Sequence, residues 1–136
     1  MSKLNIDPNT LSRPDRYKLM CALVIPRPIA LVTTISKNGI VNAAPFSFFN
    51  VFSDKPSIVA LGVNAKPEGG LKDTAANKKE QKEFVVHMVT FDIADQMNIS
   101  CVNFPPEVSE IDEANFTLRK SHLIKTPTIN ESLVAL

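Results

Sequence analysis

The tetrapeptide Ser36-Lys-Asn-Gly39 is the strongest local constraint on how this chain can fold. It separates two runs that are rich in β-branched and aromatic residues, residues 27–34 before it and residues 42–50 after it. An Asn-Gly pair between two such runs favours a tight hairpin, because both residues tolerate the positive φ angles of a type I′ turn. The sequence therefore predicts an antiparallel hairpin with Asn38 and Gly39 at its tip.

The second arm of this hairpin has an unusual composition for a strand. Pro45 has no N–H group, so we expect the strand to give up a ladder bond there. Asn, Ser and Phe residues surround this proline. Residues two apart along an extended segment share a face, which places amide and hydroxyl groups beside aromatic rings. This pattern predicts contact with a flat ligand that carries many heteroatoms.

The rest of the chain predicts short strands with helices inserted between them. Strands are predicted at residues 28–36, 40–50, 56–64 and 84–89, from their content of Val, Ile, Thr and Phe. Helices are predicted at residues 12–24, 73–82 and 92–98, with a helical turn at residues 111–114. This order is typical of a small antiparallel barrel, so we expect a mainly β fold with added helices. The length predicts one domain over residues 1–136, with residues 1–11 as a tail.

Composition and charge argue against several classes of function. The net charge is +1 and no block of Lys and Arg is present, so nothing in the sequence indicates nucleic-acid binding. No apolar run reaches the roughly 20 residues of a membrane span, and the N-terminus lacks the apolar stretch of a signal peptide. Cys21 and Cys101 stand far apart without a CxxC pattern, which is typical of reduced thiols in a cytoplasmic protein. Metal-ligand spacing, a Ser-His-Asp arrangement and a GxGxxG loop are all absent from the sequence, so neither a metal centre nor a catalytic constellation is expected.

Four segments, taken in order, resemble one family of proteins. They are residues 27–50, Lys72-Asp-Thr-Ala-Ala-Asn77, Phe84-Val-Val-His87 and Met97-Asn-Ile-Ser100, which together run over nearly the whole chain. The order is similar to that of the flavin reductase-like proteins of the FMN-binding split-barrel superfamily, and most similar to the flavoredoxin-type branch. The resemblance implies a split β-barrel of the FMN-binding type and a homodimer with FMN near the subunit interface. It also implies flavin reductase chemistry, in which electrons pass from NAD(P)H or a redox carrier through the flavin.

FMN needs a site for its phosphate, and residues 72–74 suit that need. Lys72 supplies a cation, Thr74 supplies a hydroxyl group, and the start of the predicted helix supplies N–H groups that favour an anion. The Asp73 carboxylate must point away from a phosphate, and we expect it to cap the helix. The same residues are also compatible with an ordinary capped helix at the surface. Arg27, between two prolines, either reaches the phosphate or lies in a solvated turn.

The hairpin suits the polar edge and the ring system of a flavin. Resemblance to the family implies that Ser47 and the backbone of residues 44–47 contact the flavin or its ribityl chain, with Asn50 close behind. The alternative is that Ser47 and Asn50 satisfy backbone groups of an irregular edge strand. One of Thr33 and Thr34 is expected to face inward and to hydrogen-bond the flavin, although Thr in a strand also reflects β-propensity alone. The expected cofactor-binding residues are Arg27, Thr33, Thr34, Asn42, Ala44, Pro45, Phe46, Ser47, Asn50, Lys72, Asp73 and Thr74.

The two histidines are expected to lie in different environments. His87 lies in the apolar run Phe84–Val89 and is expected to be a hydrogen-bonded core residue rather than an acid or base. His122 follows Ser121 in a loop-like stretch. It is expected either at the bare surface or against the flavin or substrate of a neighbouring subunit.

The C-terminal segment, residues 128–136, is predicted to begin a new strand. In the resembled family this point begins the strands that close the barrel, so we expect a barrel that is incomplete at its C-terminus through truncation. An incomplete barrel has an open edge, which favours pairing with another chain. Two alternatives to a flavin reductase stay open at this point. One is a flavoredoxin-like electron carrier without a substrate of its own, and the other is a truncated, non-catalytic remnant that still dimerises.

Overall fold

The computed structural model describes residues 3–136, in which short strands are interspersed with helices. The strands are Ala30–Ile35 (β1), Val41–Phe46 (β2), Phe49–Asp54 (β3), Ser57–Leu61 (β4), Val85–Met88 (β5), Leu118–Arg119 (β6) and Thr128–Ile129 (β7). The helices are Arg13–Leu23 (α1), Asp73–Gln81 (α2), Ala94–Ile99 (α3) and Glu110–Glu113 (α4), with 3₁₀ turns at Pro8–Thr10 and Phe91–Ile93. This order confirms the predicted mainly β fold with added helices.

Helix α1 begins where the sequence predicts. Ser12 is its N-cap, and the Ser12 hydroxyl accepts a hydrogen bond from the Asp15 N–H at 3.2 Å. None of the side chains of α1 is buried, so the helix lies on the surface of the molecule. Residues 3–10 of the predicted tail are exposed, and residues 1–2 lie outside the described residues.

Three antiparallel sheets form the framework. The central sheet has the order β2-β1-β5, while β3 pairs with β4 and β6 pairs with β7. The end of the chain runs beside β5, since the Leu136 N–H donates to the Val86 carbonyl at 2.8 Å and the Met88 N–H donates to the Val134 carbonyl at 3.0 Å. The strand predicted from Thr128 does begin there, but it covers only Thr128 and Ile129 (β7). Within residues 3–136 the three sheets do not close into a barrel.

The β1–β2 hairpin forms as predicted, but its turn is of another type. The register is unbroken over the six residue pairs of the two strands. The Gly39 N–H donates to the Ser36 carbonyl at 3.0 Å, and Gly39 has a φ of +84°. Asn38 does not have a positive φ, so the prediction of a type I′ turn is wrong. The geometry instead matches a type I turn followed by one left-handed glycine, a common hairpin loop.

The strand predicted over residues 40–50 is in fact two strands. β2 ends at Phe46, and the chain turns at Ser47 and Phe48 before β3 begins and pairs with β4. At this turn the Gly62 N–H donates to the Phe48 carbonyl at 2.7 Å. A Cβ atom on Gly62 would lie only 3.0 Å from the Cβ atom of Phe48, so this close crossing favours glycine. The break carries Asn50 into a sheet separate from β2.

Separate hydrophobic clusters cover the two faces of the central sheet. One face packs Leu31 and Ala43 against residues of α3 and α4. The other face packs Val32 and Phe46 against Phe49 of β3. Because successive side chains of a strand point to opposite faces, β1 contributes to both clusters and is buried over its first five residues. β2 lies at the edge of this sheet, where one side of its backbone faces away from β1.

Candidate functional site

An open crevice of about 540 Å³ lies against β2. Its other walls are the start of α2, the first part of α1, the loop at residues 64–68 and the segment at residues 100–104. A volume of this size is typical of pockets that bind cofactors and other small molecules. Seven of the expected cofactor-binding residues line this crevice: Asn42, Ala44, Pro45, Phe46, Lys72, Asp73 and Thr74.

Side chains, rather than another strand, satisfy the outer edge of β2. The Ser109 hydroxyl donates to the Val41 carbonyl at 2.6 Å, and the Ala43 N–H donates to Oε2 of Glu110 at 3.2 Å. Backbone groups of every second residue in an antiparallel pair point to the same side, so the backbone of Pro45 also faces outward. The expectation that Pro45 gives up a ladder bond is therefore wrong, because β1 lies on the opposite side of β2.

A buried hydrogen bond joins β2 to the start of α2. Asn42 Nδ2 donates to Thr74 Oγ1 at 3.1 Å, and Thr74 is only 2% exposed. Lys72 is the N-cap of α2, and no side chain caps this helix. The first-turn N–H groups of a helix have no partner within the helix. A cation beside such N–H groups makes this helix start favourable for an anion.

Asp73 does not cap α2, contrary to the expectation from the sequence. It is the first residue of the helix, and its Oδ1 atom lies 3.2 Å from Nζ of Lys66. Lys66 belongs to the loop at residues 64–68, so this ion pair connects two walls of the crevice. Both side chains are about one-third exposed, and such an ion pair contributes at most about 1 kcal/mol. The pair leaves Lys72 as a cation of the crevice without a carboxylate partner among residues 3–136.

Glu110 is a crevice residue that the sequence does not predict. Its side chain is 8% exposed, and its contact with Ala43 joins residues 67 positions apart. Burial raises the pKa of the Glu110 carboxyl, hydrogen bonds from the N–H groups of Glu110 and Ala43 oppose that rise, and the Asp73 carboxylate adds to it. No local pattern in the sequence signals a contact over this distance.

Cys101 also lines the crevice, and it is a free cysteine. Burial raises the pKa of the Cys101 thiol, and the nearby Lys72 cation opposes that rise more weakly. The thiol is therefore protonated at neutral pH and is a poor nucleophile there.

Two of the expected cofactor-binding residues are buried in the core instead of lining the crevice. Thr33 and Thr34 are fully buried. Thr33 Oγ1 donates to the Pro127 carbonyl at 2.8 Å, and Thr34 Oγ1 accepts a hydrogen bond from Asn77 Nδ2 at 3.1 Å. Both hydroxyl groups therefore have protein partners, and neither residue belongs to the crevice lining.

Three further expected residues lie elsewhere as well. Arg27 and Asn50 line a second groove of about 390 Å³, and Ser47 Oγ accepts a hydrogen bond from Arg27 Nε at 3.3 Å. Arg27 Nη1 also donates to two carbonyl groups at the end of α1, at 2.6 and 2.7 Å. Arg27 thus fixes the end of α1 to the β2–β3 connection. The structure does not bring Ser47 and Lys72 into one cavity.

His87 is a hydrogen-bonded core residue, as predicted. The ring is fully buried, its Nδ1 atom lies 3.0 Å from the Leu31 carbonyl, and its Nε2 atom accepts from the Ile129 N–H at 2.9 Å. These partners require the neutral ring with its proton on Nδ1. Burial lowers the pKa of His87, and the bond to Leu31 opposes that change. His122 is exposed.

Residues 3–136 contain neither a metal-binding cluster nor a membrane-spanning helix. No three His, Cys, Asp or Glu side chains there are grouped so that they could hold a metal ion. None of the helices in this range has both the length and the apolar character that crossing a membrane requires.

Comparison of sequences identifies a family for most of the chain. The sequence profile of the flavin reductase like domain matches residues 22–136. An uncharacterized protein of Halalkalibacterium halodurans is 44% identical over 133 residues, which cover 98% of this chain and 64% of that protein. The chain spans 60–64% of the length of the first three curated relatives that it matches.

Comparison of structures agrees with the sequence match. Nitrilotriacetate monooxygenase component B from Bacillus cereus superposes with a TM-score of 0.93 at 36% identity, over 99% of this chain and 66% of that chain. A split-barrel protein of the flavin reductase type from Shewanella frigidimarina superposes with a TM-score of 0.79 over 94% of this chain and 62% of that chain. At 17% identity, the second likeness concerns the fold alone. The expected split-barrel fold is confirmed, with a barrel that is not closed within the described residues.

Proposed function

The chain belongs to the flavin reductase-like family, and on that premise we propose that it binds FMN in the crevice along β2. We further propose a flavin reductase-type activity, in which electrons from NAD(P)H or a redox carrier pass through the bound FMN. One observation carries this proposal. Asn42 of β2 and Thr74 of α2, 32 positions apart, meet at one crevice together with the cation Lys72.

The start of α2 suits the phosphate of FMN. Lys72 supplies a positive charge, the Thr74 hydroxyl can donate its proton while accepting from Asn42, and the first-turn N–H groups face no capping side chain. The ion pair with Lys66 offsets the negative charge of Asp73. The Asp73 carboxylate therefore repels a phosphate less than an unpaired carboxylate at the same position would. This arrangement favours a dianion near residues 72–74.

The β2 wall suits the flavin ring. Ala44, Pro45 and Phe46 supply an apolar surface, and Tyr17 and Phe104 add aromatic rings to the lining. Bound FMN supplies the electron chemistry itself. The side chains of this chain bind the phosphate, orient the ring and exclude water from it. Because the flavin supplies the electron chemistry, no nucleophile is required among the crevice residues.

The proposal also includes the oligomeric state and the cellular location. We propose a homodimer with FMN near the subunit interface, because β3 and β4 expose Val51, Phe52 and Ile58. Exposed apolar residues grouped on one sheet favour a protein contact. A cytoplasmic location accords with the free thiols of Cys21 and Cys101.

An enzyme is favoured over a pure electron carrier by one comparison. The structure with a TM-score of 0.93 and 36% identity is a component of a monooxygenase, which is a redox enzyme. Structural neighbours that are flavoredoxins share under 25% identity with this chain and indicate the fold alone. A remnant that dimerises but has lost FMN accords less well with a crevice that retains a cation, a helix start and an apolar wall.

Purification followed by flavin analysis tests the proposal. We expect the protein to bind FMN in a titration that follows the quenching of flavin fluorescence, and to melt at a higher temperature with FMN. Saturation at a hundredfold the Kd stabilises the folded state by ~2.7 kcal/mol. Absence of both effects would exclude FMN binding and favour the remnant.

Steady-state oxidation of NAD(P)H with added flavin then separates the enzyme from the carrier. The enzyme should oxidise NADH or NADPH continuously in the presence of excess FMN. A carrier should bind FMN equally well but oxidise almost no NAD(P)H.

A further inference from the structure

Glu110 separates two cavities. It lines the crevice, and it also lines a smaller cavity of about 70 Å³ whose other walls include Ser36, Asn77 and Pro105. Asn42 and Asp73 border both cavities as well. Glu110 is therefore a buried carboxyl group at the wall of the proposed FMN site, and the proposed chemistry does not use it.

One oxygen of this carboxyl group is held by another residue. Oε2 accepts the Ala43 N–H at 3.2 Å, while Oε1 accepts no hydrogen bond from another residue among residues 3–136. The Glu110 side chain is 8% exposed, and it lines both cavities.

Several elements contribute charged groups to the crevice that Glu110 lines. α2 contributes the Asp73 carboxylate and the Lys72 ammonium group. The loop at residues 64–68 contributes Lys66, which is paired with Asp73, and the exposed Glu68. α1 contributes Arg13, whose Nη2 donates to the Ala65 carbonyl.

The other residues that line the two cavities with Glu110 include no cation. β2 contributes the Asn42 amide and the Ala43 N–H, and the segment at residues 100–104 contributes the Cys101 thiol. The other carboxylates of α4, Asp112 and Glu113, are exposed. Glu110 thus has no ion-pair partner in the described chain. Burial accordingly raises its pKa, which brings its ionisation closer to neutral pH.

We propose that Glu110 is a specificity-determining residue of the crevice that discriminates ligands by charge. Its ionised carboxylate disfavours dianionic FMN relative to uncharged riboflavin, and its protonated form removes that penalty. This inference rests on the proposed flavin site. Coulomb repulsion at the edge of a partly solvated cavity amounts to about a fivefold change in affinity.

The test compares FMN with riboflavin, because the two ligands share the ring and differ in the phosphate. Dissociation constants are measured by quenching of flavin fluorescence between about pH 5 and about pH 8. The proteins are the wild type, Glu110→Gln and the control Glu113→Gln. Gln keeps an acceptor oxygen for the Ala43 N–H, and Glu113 is an exposed carboxylate on the same helix. Glu110→Met is an uncharged second variant, and the melting temperature of each variant reports folding.

For each protein, the FMN dissociation constant is divided by the riboflavin dissociation constant. That ratio is then divided by the ratio for Glu110→Gln at the same pH, which gives a quotient. This division removes the second ionisation of the phosphate itself, which falls near pH 6. We expect the quotient for the wild type and Glu113→Gln to be about five at the alkaline end and to fall as the pH decreases. A quotient close to one at the alkaline end, for both Glu110→Gln and Glu110→Met as reference, overturns the inference while leaving the flavin site intact. Failure of both flavins to bind the wild type overturns the proposed function, and this inference with it.

Discussion

At the scale of single residues, the hydrogen bond between Asn42 and Thr74 is the feature on which the crevice depends. It is buried, and it connects an edge strand to the start of a helix. A buried polar group that loses its partner costs about 1–3 kcal/mol, so Thr74 has a structural role besides any contact with a ligand. Lys72 is half-buried and not tied in this way. Lys72 must therefore be tested alone as well as together with Thr74.

The double substitution Lys72→Ala with Thr74→Ala should weaken FMN binding at least about tenfold, which corresponds to ~1.4 kcal/mol. Lys72→Ala alone should weaken FMN while leaving riboflavin unchanged, because only FMN carries the phosphate. Lys79→Ala, in the last turn of the same helix, is the matched control. Fluorescence titration with both flavins gives the affinities, and an unchanged Kd for FMN in the double variant would rule out the phosphate site.

His87 predicts a pH dependence of stability. Burial lowers its pKa in the folded state below the unfolded value of about 6.5, so the unfolded chain binds more protons near that pH. Stability is then fully present above about pH 6.5 and falls as the pH decreases below it. His87→Gln should unfold at a lower temperature than the wild type, with a flatter decline between about pH 6.5 and about pH 5. The raised pKa of Glu110 acts in the opposite direction in both proteins. Equal slopes of melting temperature against pH in the two proteins would contradict a lowered pKa of His87 in the folded state.

Residues whose roles depend on neighbours in sequence were the predictable ones. The start of α2 near residues 72–74 was predictable, because helix starts carry a recognisable pattern of residues, although the expected capping role of Asp73 was not found. Thr33 and Thr34 differ, because their partners at Asn77 and Pro127 lie 43 and 94 positions away. Glu110 and its partner Ala43 are likewise far apart, at 67 positions. No local pattern distinguishes a threonine that faces a ligand from one that is bonded within the core.

At the scale of elements, the turn between β1 and β2 shows what a dipeptide pattern can specify. Asn38-Gly39 indicated the hairpin correctly, since the pair favours any loop that needs a positive φ. The choice between a type I′ turn and a type I turn with one left-handed glycine depends on loop length and register. Those properties follow from pairing along the whole hairpin, not from two residues. Likewise, the end of β2 at Phe46 depends on the crossing of Phe48 and Gly62, which are distant in sequence.

Gly39→Ala should destabilise the protein by about 1–2 kcal/mol, because an L-residue with a Cβ atom is disfavoured in the left-handed region. A Cβ atom at Gly39 meets no other atom within 4 Å, so the cost comes from the backbone conformation and not from a clash. Asn38→Ala should cost much less, since Asn38 does not have a positive φ. Urea unfolding of both variants measures the difference. A larger loss for Asn38→Ala than for Gly39→Ala would restore the type I′ turn.

At the scale of the whole molecule, the sheet of β3 and β4 is the least complete part. It has only two strands within residues 3–136, and an isolated pair of strands is marginally stable in water. The register shifts between Val51 and Ser53, which leaves Phe52 at a bulge, and Val51 and Phe52 are 62% and 70% exposed. Uncovered apolar side chains and free strand edges together favour pairing with a second copy of the chain.

This sheet therefore predicts the oligomeric state. The wild type should sediment as a dimer, and Val51→Ser with Phe52→Ser should shift the equilibrium toward the monomer, because the two substitutions remove apolar area from the proposed interface. Phe91→Ser is the control, since Phe91 is 95% exposed but lies in a 3₁₀ turn outside the sheets. If FMN lies near the subunit interface, the double variant should also bind FMN more weakly than the control does. Sedimentation of the wild type as a monomer at every concentration would contradict the dimer, whereas a monomeric variant with unchanged FMN affinity would place the flavin within one subunit.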